Sequence, residues 1–213
     1  MVEMTEQIKK WAGQFGQDYT DRNETSLEGM EIQSRKDIGV TRADLNEHFL
    51  RGIDQSARIL EVGCNIGNQL LCLQKMGFNN LWGVDVQDYA LKLARGRSEG
   101  IRFTLASALD LPFGNDYFDL VFTSGVLIHI GPLEIAQAMA EIHRCSRRYI
   151  WGSEHYADED TEIFYRGHWD LLWNRDFAQL YLDQFSDLSL VDEVRFLYQG
   201  TDDKNTMFLL EKG

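Results

Sequence analysis

The stretch ILEVGCNIGNQL, residues 59–70, passes from an apolar run through one acid to two glycines four positions apart, and then into residues that suit a helix. A continuous apolar run is what a strand covered on both faces requires. Gly63 lets the chain turn sharply where that strand ends, and Gly67 lets backbone come close to a bound group. The N–H groups of the helix that follows then point inward at that group. Asn65 stands where many such loops carry a third glycine. Asparagine tolerates left-handed backbone angles better than most residues, and its side chain can reach a cofactor or the loop's own amides. Glu61 can hold loop amides or a ligand ammonium. The expectation is a loop that cradles a nucleotide-like group, with Glu61, Gly63, Asn65 and Gly67 against it.

Strands and helices alternate outward from this point. ARILEVG (57–63) is the first strand, NQLLCLQKMG (68–77) a helix closed by glycine, NLWGVDV (80–86) a second strand and QDYALKLARGR (87–97) a helix. IRFTLAS and YFDLVFTSG follow as strands three and four, LEIAQAMAEIHR as a helix, and RRYIWGSEH as a fifth strand. This spacing predicts a parallel sheet with helices on both faces. After a helix near 175–185, LSLVDEVRFLYQ and NTMFLLEK are joined by the turn-rich GTDDK, too short for a crossover helix, so they form an antiparallel hairpin. Such an ending argues against a nicotinamide dehydrogenase. Ligands of open parallel sheets bind beyond the carboxyl ends of the strands, and an acid closing the second strand accepts hydrogen bonds from both ribose hydroxyls. Asp85, followed by Val86, holds that place, eighteen positions after Gly67.

Composition narrows the field. The chain has 213 residues, 44% of them hydrophobic and only two of them proline, enough for one α/β domain and a modest extension. No apolar run approaches the roughly 20 residues of a membrane span, and MVEMTEQIKKWAG at the N-terminus lacks the apolar centre of a signal peptide. Cys64, Cys72 and Cys145 are scattered, so neither a disulfide framework nor a metal site is expected, and the cytoplasm is the expected location. Acids outnumber bases 34 to 21 for a net charge of −13, with no basic stripe. Nucleic-acid binding draws on Lys and Arg at phosphates, so small-molecule chemistry is favoured.

The set EVGCNIGN, GVDV, SALDLPFGNDYFDLVFTSGVLIH and the closing hairpin resembles the ordered motifs of class I S-adenosylmethionine-dependent methyltransferases, over about residues 57–213. The resemblance implies a Rossmann-like α/β fold, a seven-stranded mostly parallel sheet with an antiparallel C-terminal hairpin strand. It implies S-adenosylmethionine as cofactor, with Gly63 and Gly67 beside the methionine part and Asp85 on the ribose. Ser107, Ala108 and Leu109 would face the adenine, and Ser124 and Gly125 the reactive side. Many relatives carry an acid where Ser107 stands, so adenine N6 is left to backbone carbonyls or a hydroxyl. Two flanking segments, WAGQFGQDYTDRN (11–23) and YRGHWDLLWNRDFA (165–178), are similar to the methylases associated with pseudaminic acid biosynthesis. That similarity implies a small, sugar-like or nonulosonic-acid acceptor.

Methyl transfer from a sulfonium asks the protein chiefly to position a nucleophile in a dry pocket and to take its proton. His129, just after strand four, is the candidate base, with a packing histidine as the alternative. Glu154 and His155 end strand five on the same rim and alternate in direction, so one of them is expected to face the acceptor. Tyr165, Arg166 and His168 interrupt the regular alternation in a segment that would cover the acceptor, Arg166 gripping a carboxylate or phosphate. Asp176 is either a ligand or a charge partner for the helix after it, and His143 is expected to be solvated. Residues 1–52 are expected to form a helical lid or extension, with helices over 4–12 and 26–52. The glycines of GQFGQDYTDRN would break helix, and Tyr19 and Arg22 would reach the cofactor carboxylate. Residues 53–213 would form the methyltransferase domain, with a substrate-covering insert near 156–178.

The sequence therefore points to a methyltransferase acting on O or N of a small polar molecule, an acidic or nucleotide-linked sugar being the favoured acceptor, in a monomer or homodimer. A non-catalytic cofactor-binding partner subunit and an RNA methyltransferase are the alternatives.

Overall fold

Residues 5–23 and 25–213 are described by a computed structural model. Four helices come first: α1 (Glu6–Ala12), α2 (Gln14–Asn23), α3 (Leu27–Ile38) and α4 (Arg42–Leu50). The alternating region then runs β1 (Arg58–Val62), α5 (Asn68–Lys75), β2 (Asn80–Asp85), α6 (Asp88–Arg97), β3 (Arg102–Leu105) and β4 (Phe118–Ser124). A 3₁₀ turn (Leu127–His129), α7 (Ile135–Cys145) and β5 (Ser146–Tyr156) follow. A small hairpin, β6 (Thr161–Glu162) with β7 (Trp173–Asn174), interrupts the pattern before α8 (Phe177–Gln184), β8 (Leu188–Leu197) and β9 (Lys204–Lys212).

The seven-stranded sheet has the order β3-β2-β1-β4-β5-β9-β8. All pairings from β3 to β5 are parallel, whereas β9 runs antiparallel to both β5 and β8. This is the expected fold. Successive residues of β1 face opposite ways: Leu60 and Val62 join Met139 and Ile142 of α7 and Phe177 of α8, while Ile59 joins Leu45, Leu70 and Leu91 of α4, α5 and α6. Burying each such side chain is worth about 1.5–3 kcal/mol, which holds the most apolar strands at the centre. Because α4 feeds Leu45, Phe49 and Leu50 into the sheet's own core, the extension from Arg42 onward packs as part of the domain. Gly152 of β5 lies under the Phe208 ring, whose nearest carbon would stand 2.2 Å from a Cβ there.

Two helix expectations change. The segment 13–23, read as helix-breaking, is broken only at Gly13, and α2 runs through Gly16. A Cβ at Gly16 would lie 1.8 Å from the Trp11 carbonyl oxygen, so that glycine permits close packing of α2 on α1. The single helix expected over 26–52 is two, because Gly39 adopts a left-handed φ of 82° and Thr41 opens α4 with a capping box to Asp44. Met4, at the start of the first expected helix, lies outside the described residues.

Candidate active site

The strand order reverses between β1 and β4, and a cavity opens there beyond the strands' carboxyl ends. The loop after β1 forms its floor. Gly63, Asn65 and Gly67 have φ of 73°, 46° and 77°, so three residues in this loop are left-handed and asparagine takes one of those places. A Cβ on Gly63 would meet Val126 at 2.5 Å, so its glycine also lets the β1 and β4 loops touch. Gly67 opens α5 but does not line the cavity; its neighbours are Phe103 and Ala94, so it serves the turn and helix–strand packing.

Asp85 and Val86 form one wall. The Asp85 carboxylate accepts from the backbone N–H of Asn65 at 2.8 Å and of Gln87 at 2.8 Å, tying together the loops after β1 and β2 and leaving lone pairs for a ligand. Burial pushes its pKa up, and those backbone donors oppose the shift. Glu61 is 3% exposed, with one carboxylate oxygen, Oε2, unpartnered. Burial and the neighbouring Asp85 push it well above the usual carboxylate range, while Arg42 pulls it back. Ser107, Ala108, Leu109, Ser124 and Gly125 complete the walls. The Ser107 hydroxyl accepts from Leu109 N–H at 3.1 Å, and the Leu109 carbonyl accepts from Gln137, so this loop's own polar groups are partly engaged.

The lid is α1 with α2. Trp11, Gly16, Tyr19 and Thr20 line the cavity from above. Among the contacts that hold it down, Asn65 Nδ2 donates to Thr20 Oγ1 at 3.2 Å, Gln87 Nε2 donates to the Gly13 carbonyl at 2.8 Å, and Gln7 Nε2 donates to the His129 carbonyl at 2.5 Å. Burial raises the Tyr19 pKa to about 12, so it enters the site as a neutral hydroxyl. Arg22, expected at a cofactor carboxylate, is exposed and lies outside the cavity.

His129 lines the cavity with its ring 4.4 Å from that of Trp11. Its Nδ1 stands 2.7 Å from the Leu171 carbonyl, which can only accept, so Nδ1 carries the hydrogen and Nε2 presents a lone pair. Burial lowers its pKa to about 4, which keeps the ring neutral near pH 7.

The expected acceptor residues sit elsewhere. Glu154 is fully buried and outside the cavity; its carboxylate accepts from Val126 N–H at 3.0 Å and Ile128 N–H at 3.4 Å, so it fixes the turn that carries His129. His155, on the opposite face of β5, packs 5.5 Å from the Tyr198 ring. Tyr165 and His168 exchange backbone hydrogen bonds around a turn in which Arg166 and Gly167 have φ of 48° and 85°. That turn packs on the lid's Phe15 and backs onto His129, 5.5 Å from Tyr165, while Arg166 is exposed. None of the five lines the cavity. For Glu154 and His155 the reason is that a strand's alternation tells which residues share a face, not which face meets the pocket. Asp176 caps α8, accepting from Gln179 N–H at 3.0 Å. His143 is not solvated but stacked on Phe185 and faced by Asp187 at 3.0 Å.

Burial drives the Glu154 pKa up to about 7. A carboxyl raised in the folded state contributes stability that is present below its unfolded value near 4.5 and is lost as pH rises through about 7. Glu154→Gln lacks this titration, so the wild-type stability relative to the variant is expected to fall between those values. Denaturant midpoints of the two proteins across that range measure it, and a constant difference would contradict the assignment.

Sequence reasoning passed over Gln69, Gln87 and Glu134. Gln69 is 6% exposed with neither amide atom partnered, two positions into the helix after Gly67. With Glu61 Oε2, Asn65 Oδ1 and Trp11 Nε1 it gives the cavity a set of buried polar atoms that lack partners. Buried polar groups are normally hydrogen-bonded, so this set fits a ligand rich in donors and acceptors, such as an amino-acid nucleoside. Among the described residues no cluster of His, Cys, Asp and Glu could hold a metal ion, and no helix is long and apolar enough to cross a membrane.

Residues 60–148 match the family described as Methyltransferase domain. Methyltransferase GfsG of Streptomyces halstedii is 32% identical over 111 residues, 48% of this chain and 39% of that protein. The chain thus spans about two fifths of the length of the curated relatives it matches. The 1,6-didemethyltoxoflavin-N1-methyltransferase of Burkholderia thailandensis, crystallised with S-adenosylhomocysteine, is similar over 100% of this chain and 91% of its own, with a TM-score of 0.73 at 18% identity. The magnesium protoporphyrin IX methyltransferase of Synechocystis PCC 6803, crystallised with S-adenosylmethionine, covers 100% of both chains with a TM-score of 0.70 at 12% identity. Residues 60–148 are thus similar to a methyltransferase domain, within a fold shared with the Rossmann-like S-adenosylmethionine-dependent methyltransferases.

Proposed function

We propose that this protein is an S-adenosylmethionine-dependent methyltransferase that modifies an O or N atom of a small polar molecule. The observation that carries the reading is a convergence: unpartnered Glu61 Oε2 and Gln69, the acid Asp85, and His129 with a free Nε2 all line one cavity at the switch point of the sheet. Asp85 would hold the ribose hydroxyls, Glu61 and Asn65 the amino-acid end, and the 107–109 loop the adenine. Bound there, S-adenosylmethionine supplies a methyl group already activated as a sulfonium.

The chain's own residues do the rest. His129 Nε2 accepts the proton that the acceptor's O–H or N–H gives up, and Leu171 holds the ring in the tautomer that can do so. Trp11 and Tyr19 cover the site and exclude water. Glu154 keeps the 3₁₀ turn, and with it the His129 ring, in place.

A sugar-like acceptor rests on the resemblance of segments 11–23 and 165–178 to the pseudaminic acid-associated methylases, two segments that pack on each other through Phe15, Tyr165 and His168. Nothing favours RNA as the substrate, and a cofactor-binding subunit without catalysis has no use for a tautomer-fixed histidine under a lid. Titration calorimetry tests the reading: S-adenosylmethionine and S-adenosylhomocysteine should bind while nicotinamide dinucleotides give no heat. The reverse pattern ends it.

A further inference from the structure

Among the described residues, no Lys or Arg lines the cavity, whereas three acids, Glu61, Asp85 and Glu134, do. Glu61 and Asp85 stand at the ends of β1 and β2, on the cofactor side. Glu134 stands apart from them, at the start of α7, beside the turn that carries His129. Its Oε2 lies 2.9 Å from where a Cβ of Gly131 would be, with Gln7 Oε1 at 3.5 Å from the same point. Gln7 also accepts from Gly131 N–H at 3.1 Å and donates to the His129 carbonyl, so Glu134, Gln7 and the His129 turn form one corner under α1. No hydrogen bond or ion pair occupies the Glu134 carboxylate among the described residues.

Lys10, Arg166 and Arg175 do not line the cavity, although Arg175, 1% exposed, keeps Nε and Nη2 without a hydrogen-bond partner. Lys10 meets His168 at 3.2 Å, buried Arg175 faces Asp160 at 3.1 Å and the Ile130 carbonyl, and Arg166 is exposed. A cleft lined by one sign of charge concentrates ligands of the opposite sign and repels its own. The buried, unpartnered Glu61 Oε2 and Gln69 amide show that this cavity is built for a ligand and is more than an acid-rich surface.

We infer that the methyl acceptor is a cationic or neutral polar molecule, an amine or polyol without carboxylate or phosphate, and that Glu134 is the residue that reads its ammonium or hydroxyl donor. This deepens the methyltransferase reading and rests on it. It also replaces the expectation of an acidic or nucleotide-linked sugar, for which the cavity offers no cationic partner.

The test begins by saturating the protein with S-adenosylhomocysteine; failure of that titration sinks the methyltransferase reading itself. The saturated protein is then titrated with glucosamine, glucose, glucuronate and glucose 6-phosphate. Glucosamine should bind about tenfold more tightly than glucuronate, with glucose between them, as expected for one nearby charge. Glu134→Gln should erase most of the difference and Glu134→Lys should invert it, in variants whose S-adenosylhomocysteine affinity is kept. An anion that binds wild type as well as glucosamine does, or an equal response to all four probes, null included, overturns the inference.

Discussion

His129→Ala is expected to lower kcat by about 10²–10⁴-fold, the usual worth of a positioned general base, with S-adenosylhomocysteine affinity little changed. The reason is geometric. The Leu171 carbonyl fixes the proton on Nδ1, so the only lone pair of the ring is at Nε2, in a cavity closed by Trp11 and Tyr19. Burial keeps the ring neutral down to about pH 4, so the wild-type rate should be flat from mildly acidic pH to neutrality and fall only as pH drops towards that value. An acceptor with its own low-pKa proton would be rescued by raising the pH, whereas a hydroxyl acceptor would not. Single-turnover rates with a defined acceptor, measured beside cofactor affinity, separate the two effects. Unchanged turnover in the variant would make His129 a packing residue held between Trp11 and Tyr165.

Asp85→Ala should weaken S-adenosylmethionine and S-adenosylhomocysteine binding by about 10- to 150-fold, since a lost hydrogen-bond partner with charge costs about 1.5–3 kcal/mol. Part of that loss would come through the protein, because Asp85 also accepts from Asn65 and Gln87 and so holds the two loops that frame the site. Asp85→Asn keeps one carbonyl oxygen for those amides and is expected to fall between wild type and alanine. Calorimetric dissociation constants for the three proteins provide the check. An affinity within twofold of wild type in the alanine variant would remove Asp85 from the ribose.

The ordering of the two effects reflects what each side chain does. In the proposed roles Asp85 would act on binding through hydrogen bonds that exist before any reaction, whereas His129 would act only as a proton is lost. The first therefore appears in affinity and the second in kcat.

Much of this was legible in the sequence because the signals were local. An apolar run buried on both faces, Gly63 with a left-handed turn, the acid ending β2 and two strands joined by five residues each follow from short-range rules. Asn65 belongs to that group: its tolerance of positive φ is a property of the residue, and the loop uses it at 46°. The helix of 13–23 was not legible, because Gly16 reads as a breaker until Trp11 is found packed where its Cβ would be.

The acceptor side was least legible. Glu154, His155, Tyr165, Arg166 and His168 were chosen as chemically capable residues on the ligand-binding rim, and none of them lines the cavity. Glu154 turned inward to bind the amides of the His129 turn, and Arg166 was carried outward by a tight turn. Glu134 and Gln69 carried no sequence signal, since a lone Glu opening a helix and a lone Gln within one have ordinary explanations.

The sheet, its closing antiparallel hairpin and the places of the loop glycines and Asp85 could all be read from the chain before folding, because period, turn chemistry and strand ends are written in neighbouring residues. Three-dimensional packing supplied the rest: α1 and α2 close over those loops, Leu171 sets the tautomer of His129, and among the described residues the cavity is lined by acids and by no Lys or Arg. The His129 tautomer depends on groups 42 positions apart meeting in space, and the sign of a cavity's field is a sum over all the side chains that reach it and all those that turn away.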